Sequence, residues 1–264
     1  MEITVLDFDG VYRNQQFLQR QKVQWVDFQS FRNTNLFCEK QTLDELEQKL
    51  RSYKRNIMTL IGSGNYHYMT YLLLSRIEKP FTLVLFDHHT DMLKSPSEDL
   101  ISCGSWVLDA LNHLPKLNKV TIVGVNEDGE DHIPPSLSGR VSLFTKHFIR
   151  LNFKKALHAL VRDIPTENVY ISIDKDVLDK NFAITAWDHG NMQLRQLLTM
   201  VREIMRKKTI CGIDICGEYP VHTNEFEQKA RKAHKKNGLA NQTMLTYVDK
   251  WLRKKEELSE VVNL

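Results

Sequence analysis

Seven short runs of strand-forming residues recur along this chain, and each is apolar throughout instead of alternating with polar positions: "ITVLDF" (3–8), "IMTLIG" (57–62), "TLVLFD" (82–87), "KVTIVGV" (119–125), "VSLFT" (141–145), "VYISID" (169–174) and "ICGIDI" (210–215). A strand wetted on one face alternates. A continuous apolar run needs cover on both faces, as in a parallel sheet packed between helices. The intervening stretches have helical patterning: "TLDELEQKLRSY" (42–53), "YMTYLLLSRI" (68–77), "SWVLDALNHL" (105–114), "FKKALHALVRDI" (153–164), "LRQLLTMVREIMRKK" (194–208) and "MLTYVDKWLRKKEELSEV" (244–261). The first opens with Thr42 three residues before Glu45, a capping-box pattern. Strands alternating with helices imply right-handed crossovers, so the spacing predicts an α/β fold with a mainly parallel sheet.

The length of 264 residues suits one large α/β domain or two small ones. No repeat or low-complexity segment divides it, and a single domain over 1–264 is expected. Its last part, 221–264, reads as a polar, basic loop or lead-in followed by a C-terminal helix. The basic run "KARKAHKK" (229–236) reads as a solvated charge run. A net charge of +3 gives no case for nucleic acid or an anionic membrane. No apolar run approaches the ~20 residues of a spanning helix. The start, "MEITVLDFDGVY", reads as a strand without signal-peptide features. Four cysteines are too few for a disulfide scaffold, and reduced thiols in the cytoplasm are expected.

The carboxyl ends of parallel strands lie along one edge, where ligands bind. Chemistry-bearing residues collect there. "TLVLFDHHTDM" (82–92) releases Asp87, His89 and Asp91 at alternating positions, which share one side if the chain stays extended. Another run ends in a Gly-rich turn leading to His67, a third releases Asp174, Asp176 and Asp179, and the last Asp214 and then Glu218. Singly, each has an ordinary explanation as a cap, turn or packing residue. Together, two imidazoles and at least four carboxylates on one edge would repel one another or take up protons. A divalent cation resolves this. Oxygen-rich donors with two nitrogens favour Mn²⁺ over zinc, and the donors suffice for two ions bridged by shared carboxylates.

The order and spacing of these residues over roughly 57–220 resemble the arginase, agmatinase and formiminoglutamase (ureohydrolase) family. Its Gly-Gly-x-His, Asp-Ala-His-x-Asp, Ser-x-Asp-x-Asp-x-x-Asp-Pro and Gly-x-Asp-x-x-Glu-x-x-Pro motifs read here as "GSGNYH" (62–67), "DHHTD" (87–91), "SIDKDVLD" (172–179) and "GIDICGEYP" (212–220). The resemblance implies an arginase-like three-layer αβα sandwich and a binuclear manganese centre. His67, Asp87, Asp91 and Asp174 would hold one ion, and Asp87, His89, Asp174 and Asp176 the other, with Asp87 and Asp174 bridging. His88, in the alanine's place, reads as structural or as a residue supporting the ligands from behind.

The implied activity is hydrolysis of a guanidino, amidino or related C–N compound by hydroxide formed between the metals. Asp91 would orient that hydroxide, and Glu218 would pair with a cationic small-molecule substrate. Family relatives are commonly oligomers. The chain also departs from the pattern. Cys103 stands where arginases carry a proton-shuttle histidine, and serves either as the proton donor or as a packing residue. Met92-Leu93 replaces an Ile-Asn pair whose asparagine binds a substrate carboxylate, which argues against arginine itself. Tyr66 replaces an Asp, and Lys180 a Pro. The 180–190 segment, with Trp187, Asp188 and His189, is expected beside the substrate. Two other readings stay open: a zinc deacetylase using Asp87, His89 and Asp174, and a non-catalytic metal-binding protein of the same fold.

Overall fold

The structure is a computed structural model that describes residues 1–220 and 227–262. Ten strands and six α-helices follow in the order β1 (Glu2–Asp7), β2 (Lys22–Asp27), β3 (Phe37–Glu39), α1 (Lys40–Arg51), β4 (Met58–Leu60), α2 (Met69–Ser75), β5 (Phe81–Phe86), β6 (Leu100–Ser102), α3 (Trp106–His113), β7 (Leu117–Val125), β8 (Val141–Thr145), α4 (Lys146–Asp163), β9 (Asn168–Asp174), α5 (Leu194–Lys207), β10 (Thr209–Cys216) and α6 (Glu227–Val262). Eight strands form one sheet in the order β2-β1-β4-β10-β9-β5-β7-β8. Every pairing in it is parallel.

Both faces of the sheet are covered, which is why its strands are continuously apolar. On β5, Phe81, Leu83 and Leu85 pack with Leu46 of α1, Leu72 of α2 and Trp106 of α3. Val84 and Phe86, from the other face of the same strand, pack with Leu160 of α4, Met200 of α5 and Met244 of α6. The result is an αβα sandwich with three helices on each side.

All seven expected strands are present. Three more were not anticipated: β2 at the sheet edge beside β1, and β3 with β6, which form a separate two-stranded antiparallel sheet. The expected capping box does not form. Helix α1 starts at Lys40 with Glu39 as its N-cap, so Thr42 and Glu45 lie inside it. Such a box does close α5, where Gln196 Oε1 accepts the Gln193 N–H at 2.9 Å. In the 221–240 stretch, helix begins at Glu227, and 221–226 fall outside the described residues. No helix among the described residues is long and apolar enough to cross a membrane.

The chain moves outward from β5 to β7 and β8, then returns to place β9 and β10 between β5 and β4. The carboxyl ends of β4, β10, β9 and β5 therefore stand side by side.

Candidate metal centre

Asp87 directly follows β5, and its N–H still donates to Val123 O at 3.1 Å. Beyond it the chain leaves the extended geometry expected for 87–91. Asp91 sits at φ +51°, in the left-handed region that Asp enters more readily than most residues. A tight turn, and not strand pleat, brings Asp87, His89 and Asp91 together. Asp87 Oδ1 accepts the His89 N–H at 2.7 Å, and Asp176 Oδ1 accepts the His88 N–H at 3.1 Å.

Two clusters result, sharing one carboxylate. His67 Nδ1 lies 3.0 Å from Asp91 Oδ2, 3.4 Å from Asp87 Oδ2 and 3.7 Å from Asp174 Oδ2. His89 Nδ1 lies 2.9 Å from Asp176 Oδ2 and 3.5 Å from Asp87 Oδ1. Asp87 thus turns one oxygen to each imidazole. Candidate ligand atoms within 4.8 Å of one another form the sets His67–Asp87–Asp91, Asp87–His89–Asp176 and His67–Asp174–Cys216. Asp174, expected to bridge as well, groups with His67 and with the Cys216 thiol, which donates to its Oδ2 at 3.1 Å. Cys216 was not anticipated as a neighbour of the cluster. Position 216 lies two residues beyond Asp214, on the same side of β10, and that alternation was the available signal.

The hydrogen bonds behind His67 test whether these donors suit a cation. Ser172 Oγ donates to Asp214 Oδ1 at 2.6 Å, so its hydroxyl proton is committed. The same oxygen then accepts from His67 Nε2–H at 2.9 Å. In a neutral His67 this leaves Nδ1 with a lone pair facing three carboxylate oxygens. Only a cation or an added proton makes that stable. Thr70 and Tyr170 hydroxyls donate to Asp214 Oδ2 at 3.0 and 2.9 Å and fix the relay. This is the outer-shell pattern that orients metal-ligating histidines.

Without a cation, protons would take its place. Burial opposes charge on His67, yet the neighbouring Cys216 and hydrogen bonds to Asp87 and Asp91 lift its pKa well above the usual value. Burial likewise opposes charge on His89, but Asp176 and Asp87 push it up to about 12. Burial first, then the charge of Asp87, raises Asp91 to about 6. Burial and the charges of Asp174 and Asp87 raise Asp176 well above the carboxylate range. This proton-hungry cluster has the donor chemistry of a divalent metal site.

Two glycines let the backbone close around Asp174. A Cβ on Gly64 would lie 2.9 Å from Asp174 Oδ2, and one on Gly217, at φ +82°, would overlap Oδ1. Glu218, expected to face a substrate, lies elsewhere than the cleft wall. Spaced as Gly-x-Asp-x-x-Glu-x-x-Pro, the motif puts Gly217 at the glutamate's position, and a one-residue shift turns a side chain to the other side. Glu218 is completely buried. Its Oε1 is ion-paired with the equally buried Lys175 and accepts from Asn241 Nδ2 at 2.7 Å. It is absent from the cleft lining, and its other oxygen, Oε2, is buried without a hydrogen-bond partner.

A cleft of about 500 Å³ opens over the cluster, with His67, Asp87, His89, Asp91, Asp174 and Asp176 in its wall. Cys103 lines it too, where burial first and the charge of Asp91 second raise the thiol to about 12. Trp187 and Asp188 line the cleft. His189 turns away to Leu178 O at 2.9 Å. His88 also reaches the wall, stacking edge-on against His89 with ring centroids 5.3 Å apart. His132, not singled out from sequence, lines the cleft with Nδ1 3.1 Å from Thr90 Oγ1.

Fold and cluster together define an α/β protein with an acid-and-imidazole site at the carboxyl edge of a parallel sheet. The Arginase family model matches residues 7–235. An uncharacterised protein of Thermotoga maritima is 35% identical over 216 residues, covering 82% of this chain and 79% of that one. The chain belongs to the arginase family. Among solved structures, it is similar to the agmatine ureohydrolase of Thermoplasma volcanium (TM-score 0.70, 16% identity, 97% of this chain and 90% of that one). It is also similar to the formimidoylglutamase of Bacillus subtilis (TM-score 0.67, 16% identity, 96% and 86%) and the arginase of the same species (TM-score 0.64, 17% identity, 93% and 98%).

Proposed function

We propose that the chain is a hydrolase of non-peptide C–N bonds that works with two divalent ions, manganese before zinc. The observation that carries this reading is the Asp87 carboxylate, which offers one oxygen to the His67 side and the other to the His89 side. His67, Asp91 and Asp174 would hold one ion with Asp87, and His89 and Asp176 the other. When bound, such ions acidify water and polarise the carbon under attack.

The chain's own groups do the rest. Ser172 and Asp214 hold His67 in the tautomer whose Nδ1 faces the cluster. Trp106 Nε1–H donates to Asp91 Oδ2, leaving the other oxygen of Asp91 to orient a water. Cys103 keeps its proton at neutral pH and can give it only to a strongly basic leaving nitrogen. The buried Lys175–Glu218 pair argues against Glu218 as an anchor for a cationic substrate. Free thiols at all four cysteines are in keeping with a cytoplasmic enzyme.

One observation favours a softer ion: Cys216 offers sulfur beside His67 and Asp174. The oxygen-rich majority of the donors outweighs it.

The test is Mn²⁺-dependent release of amine or ammonia from a panel of guanidino, amidino, ureido and carboxamide compounds. Turnover that Asp176→Asn abolishes supports the reading. Turnover that survives removal of the metal contradicts it. Cys103→Ala should lower turnover with metal content unchanged.

A further inference from the structure

The mouth of the cleft is built from parts the metal centre does not use. Among the described residues few large apolar side chains stand exposed, yet three of them line this one cleft: Phe37 (43% exposed), Leu93 (53%) and Trp187 (38%). Singly exposed apolar residues are ordinary. Three that converge above a cluster of candidate ligands form a surface with a direction.

That surface is braced. Phe37 belongs to β3, paired with Ser102 of β6 in the small antiparallel sheet. Leu36 beside it also lines the cleft and sits at φ +71°, a conformation bulky residues rarely adopt. Its carbonyl accepts the Cys103 N–H at 3.0 Å, and Leu93 N–H donates to Gly104 O at 2.9 Å. Both apolar segments are thereby tied to the 103–105 turn that carries Cys103. Strain held in place by its surroundings collects at functional sites. Trp187 completes the mouth. Its indole N–H donates to Asn65 Oδ1 at 2.9 Å, and its ring stands 5.8 Å from that of His89. The apolar mouth therefore runs down to a candidate metal ligand. The charged groups of the mouth, Lys94, Asp128 and Asp188, are all exposed to water, where an ion pair gains little.

We infer, building on the hydrolase reading above, that the substrate carries its reacting C–N group on an apolar aliphatic or aromatic remainder. Phe37, Leu93 and Trp187 determine that specificity. In the net reaction the C–N bond breaks, the hydroxyl of water goes to the carbon and its other hydrogen, directly or by exchange through Cys103, to the departing nitrogen, and nothing is oxidised or reduced.

The test separates the remainder from the reacting group. Alkyl hydroxamates chelate divalent ions whatever the natural substrate is, so a series from aceto- to octanohydroxamate is titrated calorimetrically into the full, Mn²⁺-loaded chain. Affinity should rise about fourfold for each methylene buried. Hexanohydroxamate should bind at least about tenfold tighter than its terminal-amino analogue, because burying an ammonium offsets the gain. Leu93→Asn should remove about tenfold of the octanohydroxamate gain while acetohydroxamate affinity changes less than about twofold, since that side chain is exposed and touches no candidate ligand. Trp187→Ala should likewise lose the gain along the series. Affinity independent of chain length, equal or better binding of the amino analogue, or variants that keep the gain would each overturn the inference. If the chain retains no Mn²⁺, or acetohydroxamate itself does not bind, the hydrolase reading fails first and the inference falls with it.

Discussion

The indole N–H of Trp106, on α3, donates to Asp91 Oδ2 at 2.6 Å. A helix on one face of the sheet thus holds a carboxylate that hangs from the turn after β5. Trp106→Phe keeps a ring in the core and deletes the donor. Outer-shell partners of this kind contribute roughly 10–100-fold to metal affinity. Chelator competition should show one of two Mn²⁺ ions weakened by that factor and the other unchanged. Equal weakening of both would place Asp91 differently.

Asp87 and Asp176 should differ in kind, because only Asp87 faces both imidazoles. Asp176→Asn should retain one tightly held ion and Asp87→Asn none, by elemental analysis of the purified variants. Both should lose turnover by at least about a hundredfold, because Lewis-acid stabilisation of several kcal/mol goes with either ion.

Lys175 and Glu218 form an ion pair with neither partner exposed. Removing one partner of such a pair leaves an uncompensated buried charge and costs about 3–5 kcal/mol, whereas replacing both is often neutral. Lys175→Met should lower stability in urea by that amount, and Lys175→Met with Glu218→Gln should restore most of it. A single variant as stable as the parent would show that the pair is not closed in solution.

His89 makes one contribution to the pH dependence of the metal-free chain, of the same sign as those of His67, Asp91 and Asp176. Its pKa stands at about 12 in the fold against 6.5 for the free side chain, so the folded chain holds that proton more tightly. The stabilisation is complete below pH 6.5 and is lost as pH rises towards about 12. Metal binding must displace this proton, so apparent Mn²⁺ affinity should rise with pH, up to about tenfold per unit for each proton released. Calorimetry in buffers of different ionisation enthalpy reads the protons directly.

The central strands were legible because burial on both faces leaves no polar alternation to confuse them. The candidate ligand residues could be grouped from sequence because parallel topology puts strand ends on one edge. β2 was not legible, because "KVQWVD" is a half-covered edge strand interrupted by the polar residues Lys22, Gln24 and Asp27. β3 and β6 have three residues each, too few for any periodicity. Yet that small sheet braces the cleft mouth. The side on which Glu218 falls depended on a shift of one residue, and the overlap a side chain at Gly217 would make with Asp174 became visible only in three dimensions. The Ser172–Asp214 relay joins neighbouring strands β9 and β10 at register partners, a pairing that sequence spacing does not reveal.

The most direct test of the account is metal content after incubation with Mn²⁺ and removal of free ion. Two ions retained per chain, falling to one in Asp176→Asn, is the predicted result. A chain that retains none, with Asp87, His67 and His89 intact, would contradict the metal centre and every functional step built on it.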